Sequence, residues 1–474
     1  MNPILLCILG YVVLQLAVVF VIARRPQTEA DYLVAGRSLG PWLSVFSVFA
    51  TWFGAETCIG ATAEAYRGGL NAVSSDPFGY SIGLIATGLF FAAALWKRNL
   101  LTLADLFRNH YGPGIERLAA LIMIPSSLLW AAAQVRAFGQ VLASVSELGL
   151  ITATAIAALV VIIYTAVGGM WADAWTDLAQ GLVLIAGLVA LGAMFALLGG
   201  FDSLPQTAAA AAAKAPPPDR PLIEILAVPI FGTIAAQELT SRVLAMRNAR
   251  LARVATVGAG LLYLAVGLIP VVIGLGAAAF IGPDVDPEQV LSRFAQSRLP
   301  TPLYVLFLGA LVSAILSTLS GALLVAGSLA AHNIAEPLLG TAVSERAKLR
   351  LNRAAVVGFG IAGYGLSFTS DSMYALVEQA SGIGSAGVLV LMAFALWLPR
   401  VGGAASAAAA LITALTTYLL GSHVFGWTAP YLASLAAALT AYLLLAVVTP
   451  KEKSAEPASA GPRTSIRRDG PDQG

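Results

Sequence analysis

Long apolar stretches separated by short polar segments run through almost the whole of this 474-residue chain. A helix that crosses a lipid bilayer needs roughly 20 mostly apolar residues. By that measure the chain holds thirteen candidate spans, at residues 3–23, 42–66, 77–96, 117–146, 150–167, 174–199, 222–243, 254–281, 301–334, 352–369, 373–398, 404–421 and 427–449. The pattern predicts an all-α integral membrane protein with about 13 transmembrane helices.

The second span is poor material for an unbroken helix. Gly54, Glu56 and Gly60 interrupt its apolar run within a few residues. Hydrocarbon cannot satisfy an opened backbone, so a membrane helix breaks only where protein, water or a ligand takes up the freed carbonyls. We therefore predict a broken helix and a binding site here. The seventh span carries Pro229 and Gly232, which indicate either a second break or a simple proline kink.

The composition agrees with this class of protein. The chain is 58% hydrophobic and 11% charged, with a mean hydropathy of +0.83, and we predict a single polytopic domain over residues 1–449. A net charge of +2, with no basic run interleaved with aromatic residues, argues against a nucleic-acid partner and leaves the lipid bilayer. Cys7 and Cys58 lack metal-ligand spacing, which favours small buried side chains over a disulfide or a zinc site.

The positive charges predict an orientation in the plasma (inner) membrane. Most of the 27 lysines and arginines fall in alternate loops, and such residues concentrate on the cytoplasmic side. This places the N-terminus outside and, with an odd number of spans, the C-terminus in the cytoplasm. The alanine- and proline-rich segment 206–221 is expected to be an outside loop, and the polar segment 450–474 a disordered cytoplasmic tail.

Three motifs occur in order along the chain. They are Phe49–Gly60 (FATWFGAETCIG), Gly168–Gln180 (GGMWADAWTDLAQ) and Ala314–Ser320 (AILSTLS). Together they resemble the signatures of the sodium:solute symporter family, and the resemblance extends over roughly residues 1–450. It implies a transporter with no catalytic residues and no cofactor, in which Na⁺ is the coupling ion.

The resemblance also implies a fold and a mechanism. The fold is of the LeuT type, with two inverted five-helix repeats at about residues 42–199 and 222–398, one extra helix before them and two after. The implied function is sodium-coupled secondary active symport of a small organic solute by alternating access. A symporter-like membrane sensor that reports the solute to a signalling partner is the alternative. An enzyme is not expected, because the three histidines are dispersed along the chain.

Ala314, Ser317 and Thr318 are spaced so that they share one face of the ninth helix. In the family the matching positions bind the coupling sodium together with carbonyls of the first broken helix, which here belong to Ala50 and Phe53. The alternative for the serine is a hydroxyl that bonds back to its own helix.

Asp177, in the motif Thr176–Gln180, matches a family acid associated with passage of the cation to the cytoplasm. A plain solvated carboxylate near the membrane boundary is the alternative.

The first half of the chain is most similar to the high-affinity choline transporter branch of the family, in ATW at Ala50–Trp52, PFGYS at Pro77–Ser81 and WAAA at Trp130–Ala133. The branch implies that Trp52, Tyr80 and Trp130 enclose a quaternary ammonium group by their ring faces. Packing of a helix interface is the alternative for each ring. We also place Glu56, in the first break, among the substrate-binding residues.

Two features depart from that branch. Ala235 and Ala236 stand where the choline carriers place a further tryptophan. Arg136 lies inside a span, where an arginine is costly unless it pairs or faces water. It could clamp a substrate carboxylate, which would favour a betaine or an amino acid over a choline-like cation. Alternatively, it neutralises one of the buried acids, Glu56, Glu238 or Glu378.

Overall fold

A computed structural model describes residues 3–22, 26–144, 146–214, 219–340, 343–369 and 373–448. The predicted tail, 450–474, lies outside the described residues. Within them, all regular secondary structure is helical apart from one isolated bridge between Leu39 and Met246.

The main helices are α1 (Pro3–Ile22), α2 (Glu29–Val34), α3 (Pro41–Trp52), α4 (Glu56–Gly68), α5 (Ser74–Trp96), α6 (Leu103–Tyr111), α7 (Pro113–Ser144), α8 (Leu150–Leu197), α9 (Gly200–Lys214), α10 (Leu222–Ala235), α11 (Gln237–Ala245), α12 (Ala249–Gly276), α13 (Val290–Arg298), α14 (Thr301–Leu339), α15 (Glu345–Leu366), α16 (Met373–Gly382), α17 (Ser385–Trp397), α18 (Ala404–Val424) and α19 (Pro430–Val448).

Nine helices in the described part of the chain are long and apolar enough to cross a membrane. The count rises to eleven if each of two bent pairs is one span. The pair α3 and α4 is bent by 59°, and the pair α10 and α11 by 41°. Both predicted breaks are therefore present, the second one as a break between two helices rather than a simple kink at Pro229.

The helix α8 contains two of the predicted spans, because the chain reverses within it at Gly169. The hydroxyls of Tyr164 and Thr176 are in contact, although twelve residues of straight helix would separate them by about 18 Å. Gly169 has φ +60° and ψ −176°, a conformation open essentially to glycine alone. A Cβ atom there would also lie 2.7 Å from the ring of Tyr32. The sharp reversal needs no loop.

The tenth predicted span corresponds to α15, whose first half carries Arg350 and Arg353. With α15 and the two arms of α8, every predicted span has a helix, and the predicted fold class is confirmed. The expectation of a loop at 206–221 is wrong as far as Lys214, because α9 continues through the alanine run. Alanine has the highest helix propensity of all residues, which explains the difference.

A network of ion pairs joins α2, α6, α14 and α15 at one end of the molecule. His332 lies 3.1 Å from both Glu29 and Asp105, and Lys348 Nζ lies 2.6 Å from Glu336. Burial would raise the pKa of Asp105, but the neighbouring His332 and backbone N–H groups outweigh it and hold that pKa below its usual value. The lysine and histidine thus balance the acids of this network.

Candidate functional site

The end of α3 opens toward two hydroxyls of α14. Phe53 leaves helical geometry with φ −86° and ψ 79°, which turns its carbonyl away from the helix ladder. One turn earlier, the carbonyl oxygen of Ala50 lies 2.8 Å from Ser317 Oγ and 3.3 Å from Thr318 Oγ1. The predicted face of α14, which includes Ala314, therefore meets the predicted break.

Several carbonyl oxygens crowd around the hydroxyl of Ser317. Its single hydroxyl proton faces three carbonyls, those of Ala50 at 2.8 Å, Ser313 at 3.0 Å and Ala314 at 3.1 Å. It can serve only one of them at a time. Ala50, Ser317 and Thr318 are all buried, so the spot is rich in oxygen and poor in water, which favours a small cation.

Trp52, Tyr80 and Trp130 are brought together as walls of one cavity, which we call the aromatic cavity. The cavity is nearly closed, with a volume of about 30 Å³. The rings of Trp52 and Trp130 meet edge to face with centroids 5.3 Å apart. The Nε1–H of Trp52 donates to Thr233 Oγ1 at 3.1 Å, which joins α3 to α10. Ala235 and Ala236 at the second break also line this cavity, as does Glu238.

Glu56 begins α4, directly after the first break, and is only 2% exposed. Its carboxylate accepts hydrogen bonds from Gln134 Nε2 at 2.6 Å and from Trp130 Nε1 at 3.3 Å. A Cβ atom on Gly54 would collide with this carboxylate, which explains why the break carries glycine. Among the described residues, no lysine, arginine or histidine forms an ion pair with Glu56.

A second cavity, which we call the carboxylate cavity, lies on the other side of Tyr80 and Glu56. Its volume is about 230 Å³. Five acids and one arginine line it: Glu56, Glu64, Asp76, Asp219, Glu378 and Arg220. Arg220 pairs with Glu378. Burial would lower the pKa of Arg220, but Glu378 outweighs it and raises that pKa. The cavity keeps an excess of negative charge.

Arg136 lies outside the walls of both cavities. Its Nη1 donates to the carbonyl of Ser367 at 3.3 Å. The acids that were predicted to neutralise Arg136 have other hydrogen-bond or ion-pair partners. Glu378 pairs with Arg220, and Glu238 accepts from Ser127 Oγ at 2.5 Å.

Asp177 is fully buried, so the solvated alternative is wrong. It accepts from Ser47 Oγ at 2.8 Å and lies 3.8 Å from Arg242 Nη2, which also pairs with Asp173. We call Asp173, Asp177 and Arg242 the buried arginine cluster. The sodium candidate adjoins it, because Arg242 Nε donates to Thr51 Oγ1 at 2.8 Å, one residue after Ala50.

Sequence reasoning missed Arg242 and Asp76. Arg242 sits near the end of an apolar span, where the pattern of positive charges assigns an arginine to a cytoplasmic loop. In the structure it belongs to α11 and is only 1% exposed. The spacing of Asp173 and Asp177, one turn apart on one helical face, was a signal that a buried cation was required. Asp76 precedes the predicted start of its span and resembles a loop acid, yet it is 1% exposed.

The fold is that of LeuT-type transporters. The chain superposes on a Na⁺-coupled sialic acid symporter, solved in a substrate-bound outward-open state, with a TM-score of 0.81 and 18% identity, covering 94% of this chain and 98% of that one. It also superposes on Mhp1, a nucleobase-cation-symport-1 family transporter, with a TM-score of 0.63 and 15% identity, covering 90% and 95%. The molecule is an integral membrane protein of this fold.

The sequence matches the Sodium:solute symporter family over residues 32–416, and the chain belongs to that family. It is 27% identical over 370 residues to the high-affinity choline transporter 1 of Drosophila melanogaster and 28% identical over 377 residues to that of Homo sapiens. These matches cover 75% and 73% of this chain, but only 59% and 63% of those transporters. A sodium/proline symporter of Haemophilus influenzae is 26% identical over 421 residues, 82% of each chain.

Proposed function

We propose that this protein is a sodium-coupled symporter that imports a small organic cation of the choline type. The observation that carries the proposal is Glu56, a buried carboxylate with hydrogen-bond donors but no cationic partner among the described residues. It stands between the aromatic cavity and the carboxylate cavity. A cation there would gain a counter-charge and the ring faces of Trp52 and Trp130 together. Each cation–ring contact contributes about 2 kcal/mol once water is excluded.

The coupling sodium binds, in this proposal, between the first break and α14. The carbonyls of Ala50, Phe53 and Ala314 and the hydroxyls of Ser317 and Thr318 supply its oxygen ligands. The support is the crowding of buried carbonyl and hydroxyl oxygens around Ser317, which are the kind of ligand that a sodium ion takes. The bound ion would hold the opened end of α3 against α14.

Asp177 lies on the cation's route in this proposal. The buried arginine cluster holds two carboxylates and one guanidinium, so it keeps one negative charge. Asp177 Oδ1 is buried and has no hydrogen-bond partner among the described atoms. A sodium ion that leaves the site past Thr51 would meet this oxygen next.

A cation fits the cavities better than a zwitterion. A substrate carboxylate needs a positive group near the rings, and Arg136, the sequence candidate for that role, is not in either cavity wall. The acids of the carboxylate cavity would repel such a carboxylate. We therefore give Arg136 no role in substrate binding.

Transport then follows alternating access. Sodium and solute each raise the other's affinity by the same factor, since both stabilise the same arrangement of α3 and α4. An inward elementary charge contributes about 2.3 kcal/mol per 100 mV of membrane potential. Two positive charges per cycle, one from sodium and one from the solute, make uptake strongly dependent on voltage.

The test is uptake by proteoliposomes that contain the purified protein. The panel is choline, betaine, proline, histidine, a short carboxylate and a sugar, each with and without an inward sodium gradient. We expect choline uptake that requires the gradient and little uptake of the others. Uptake of proline or betaine in preference to choline would contradict the cation assignment, and gradient-independent uptake would contradict the coupling.

A further inference from the structure

Asp76 is a buried carboxylate that the proposed transport cycle does not use. It lies at the start of α5, is 1% exposed, and forms part of the wall of the carboxylate cavity. Among the described residues it has no lysine, arginine or histidine as an ion-pair partner. A buried carboxylate that stays ionised without such a partner is costly.

The hydrogen bonds around Asp76 require one proton more than their hydroxyls carry. Thr57 Oγ1 lies 2.9 Å from Asp76 Oδ2, Tyr263 OH lies 2.9 Å from Asp76 Oδ1, and the two hydroxyl oxygens lie 2.7 Å from each other. Each of these three contacts is a hydrogen bond only if one proton lies between the two oxygens. The two hydroxyls supply two protons, so an ionised Asp76 leaves one contact empty.

A proton on Asp76 completes a closed ring of three hydrogen bonds among Asp76, Thr57 and Tyr263. Tyr263 then donates to Asp76 Oδ1, the protonated Oδ2 donates to Thr57, and Thr57 donates to Tyr263. Every oxygen in the ring is satisfied, and no net charge is buried. Oxygen–oxygen distances of 2.7–2.9 Å are ordinary for hydrogen bonds, so no larger cation is needed to explain them.

We propose that Asp76 is a proton-binding site in the wall of the carboxylate cavity. The hydroxyls of Thr57 and Tyr263 complete this site by hydrogen bonds. Because Asp76 borders the carboxylate cavity, the proton has a direct route. The carboxylic O–H bond breaks, the proton passes to cavity water, and the carboxylate that remains faces the cavity.

The groups that face Asp76 all bear on its proton. Glu56 and Cys58 approach it from α4, and Tyr263 from α12. The cavity walls add Tyr80, Glu64, Asp219, Glu378 and Arg220. Four of these eight groups are carboxylic acids, and their negative charge favours the protonated form of Asp76. A cation that enters the cavity offsets this charge and favours release of the proton.

Proton and cationic solute therefore compete. The linkage to solute rests on the proposed function, whereas protonation of Asp76 does not. By reciprocity, the proton weakens solute binding by the same factor as solute weakens proton binding. Below the midpoint of the Asp76 titration, solute affinity therefore falls with decreasing pH, by at most about tenfold per pH unit.

The first experiment needs no solute. Infrared difference spectra of the purified full chain, recorded across a pH titration, should show a protonated carboxylic acid band that Asp76→Asn removes. The matched control, Glu64→Gln, changes an acid of the same cavity wall that already pairs with Arg67, and it should keep the band. Persistence of the full band in Asp76→Asn would overturn the proposal.

A second variant covers the case in which Asp76→Asn does not fold. Tyr263→Phe keeps Asp76 and removes one hydroxyl of the ring, so it should keep the band and shift its titration midpoint. An unmoved midpoint would overturn the assignment to Asp76. If no Asp76-dependent band exists at any pH at which the protein is folded, while sodium changes the carboxylate bands, a sodium site replaces the proton site.

The linkage is tested separately with choline as the probe. Titration calorimetry in two buffers of different ionisation enthalpy should show a proton released on choline binding to the wild type and none with Asp76→Asn. Choline binding without proton release would overturn the linkage alone. Failure of choline to bind at all would contradict the proposed function and leave the infrared result to decide on Asp76.

Discussion

The carboxylate cavity and the buried arginine cluster each contain a pair of buried carboxylates, but the two pairs are balanced in different ways. Asp173 and Asp177, both on α8, share Arg242, which comes from a second helix, α11. Glu56 and Asp76 receive only neutral donors, from indole, amide and hydroxyl groups. The first pair carries its own cation, and the second lies where a cation can arrive from solution. The comparison separates carboxylates that an internal arginine balances from carboxylates that neutral donors contact.

The largest effect should come from removing the internal cation. Arg242→Met leaves Asp173 and Asp177 buried without a partner, and breaking a buried pair in this way costs about 3–5 kcal/mol. We expect a large fall in thermal stability of the detergent-solubilised protein, measured by its unfolding midpoint.

Arg220→Met is the matched control for that experiment. Its partner Glu378 and Arg220 itself are 38% and 37% exposed, and pairs near the surface contribute about 1 kcal/mol or less. Equal destabilisation by the two substitutions would remove the distinction between the buried arginine cluster and the carboxylate cavity.

The next largest effect should be on the sodium dependence of uptake. Ser317→Ala or Thr318→Ala removes one of the hydroxyl ligands, and we expect the sodium concentration for half-maximal uptake to rise at least about tenfold, since one lost charge-assisted contact contributes roughly 1.5–3 kcal/mol. Ser313→Ala, one turn earlier, removes a hydroxyl that contacts Gly309 O and Tyr11 OH but is not a proposed sodium ligand, and it should leave that concentration unchanged. A normal sodium dependence in both site variants would exclude the proposed sodium site.

Glu56→Gln tests whether this acid receives the ligand. The amide keeps the shape of the side chain but removes the counter-charge beside the rings, so choline affinity should fall by about tenfold or more, again from a charge-assisted contact of roughly 1.5–3 kcal/mol. Stability should change little, because no internal cation loses a partner. Glu64→Gln serves as the control. If Glu56→Gln strongly destabilised the protein without weakening choline binding, Glu56 would stabilise the fold, as Asp173 and Asp177 do, and would not bind the ligand.

The smallest effect is expected at the contact between α3 and α10. Thr233→Val preserves the shape of the side chain but leaves the Trp52 N–H without its acceptor, which costs about 1 kcal/mol. Choline affinity should weaken only a few-fold, measured by the same uptake assay. A loss as large as that of Glu56→Gln would show that the orientation of the Trp52 ring matters as much as the charge.

Much of the fold could be predicted from sequence because the spans are long and apolar and the breaks carry glycine and proline where lipid would forbid an open backbone. The meeting of Ala50 with Ser317 and Thr318 was predictable from helical spacing combined with the family resemblance. The buried position of Arg242 was not predictable, because counting charges assigns arginines near the ends of helices to loops. Its partner Asp173 lies 69 residues away in sequence, and no local pattern records that contact.

The error at 206–221 and the omission of Asp76 have separate causes. The first comes from the helix propensity of the alanine run. The second arises because Asp76 lies at the edge of a span, where apolar length gives no information about which residues continue into the helix. The alanines of α9 continue helical to Lys214, and α5 begins at Ser74, before the predicted boundary. Burial at such edges depends on neighbours from distant parts of the chain, here Thr57 and Tyr263 for Asp76.

The reversal at Gly169 has a mechanical consequence. A single residue joins the two arms of α8, so no flexible linker lies between them. Tyr32 packs so closely against Gly169 that a side chain would not fit there. Any change in the angle between the two arms must therefore displace Tyr32 as well, which ties movement at this joint to α2.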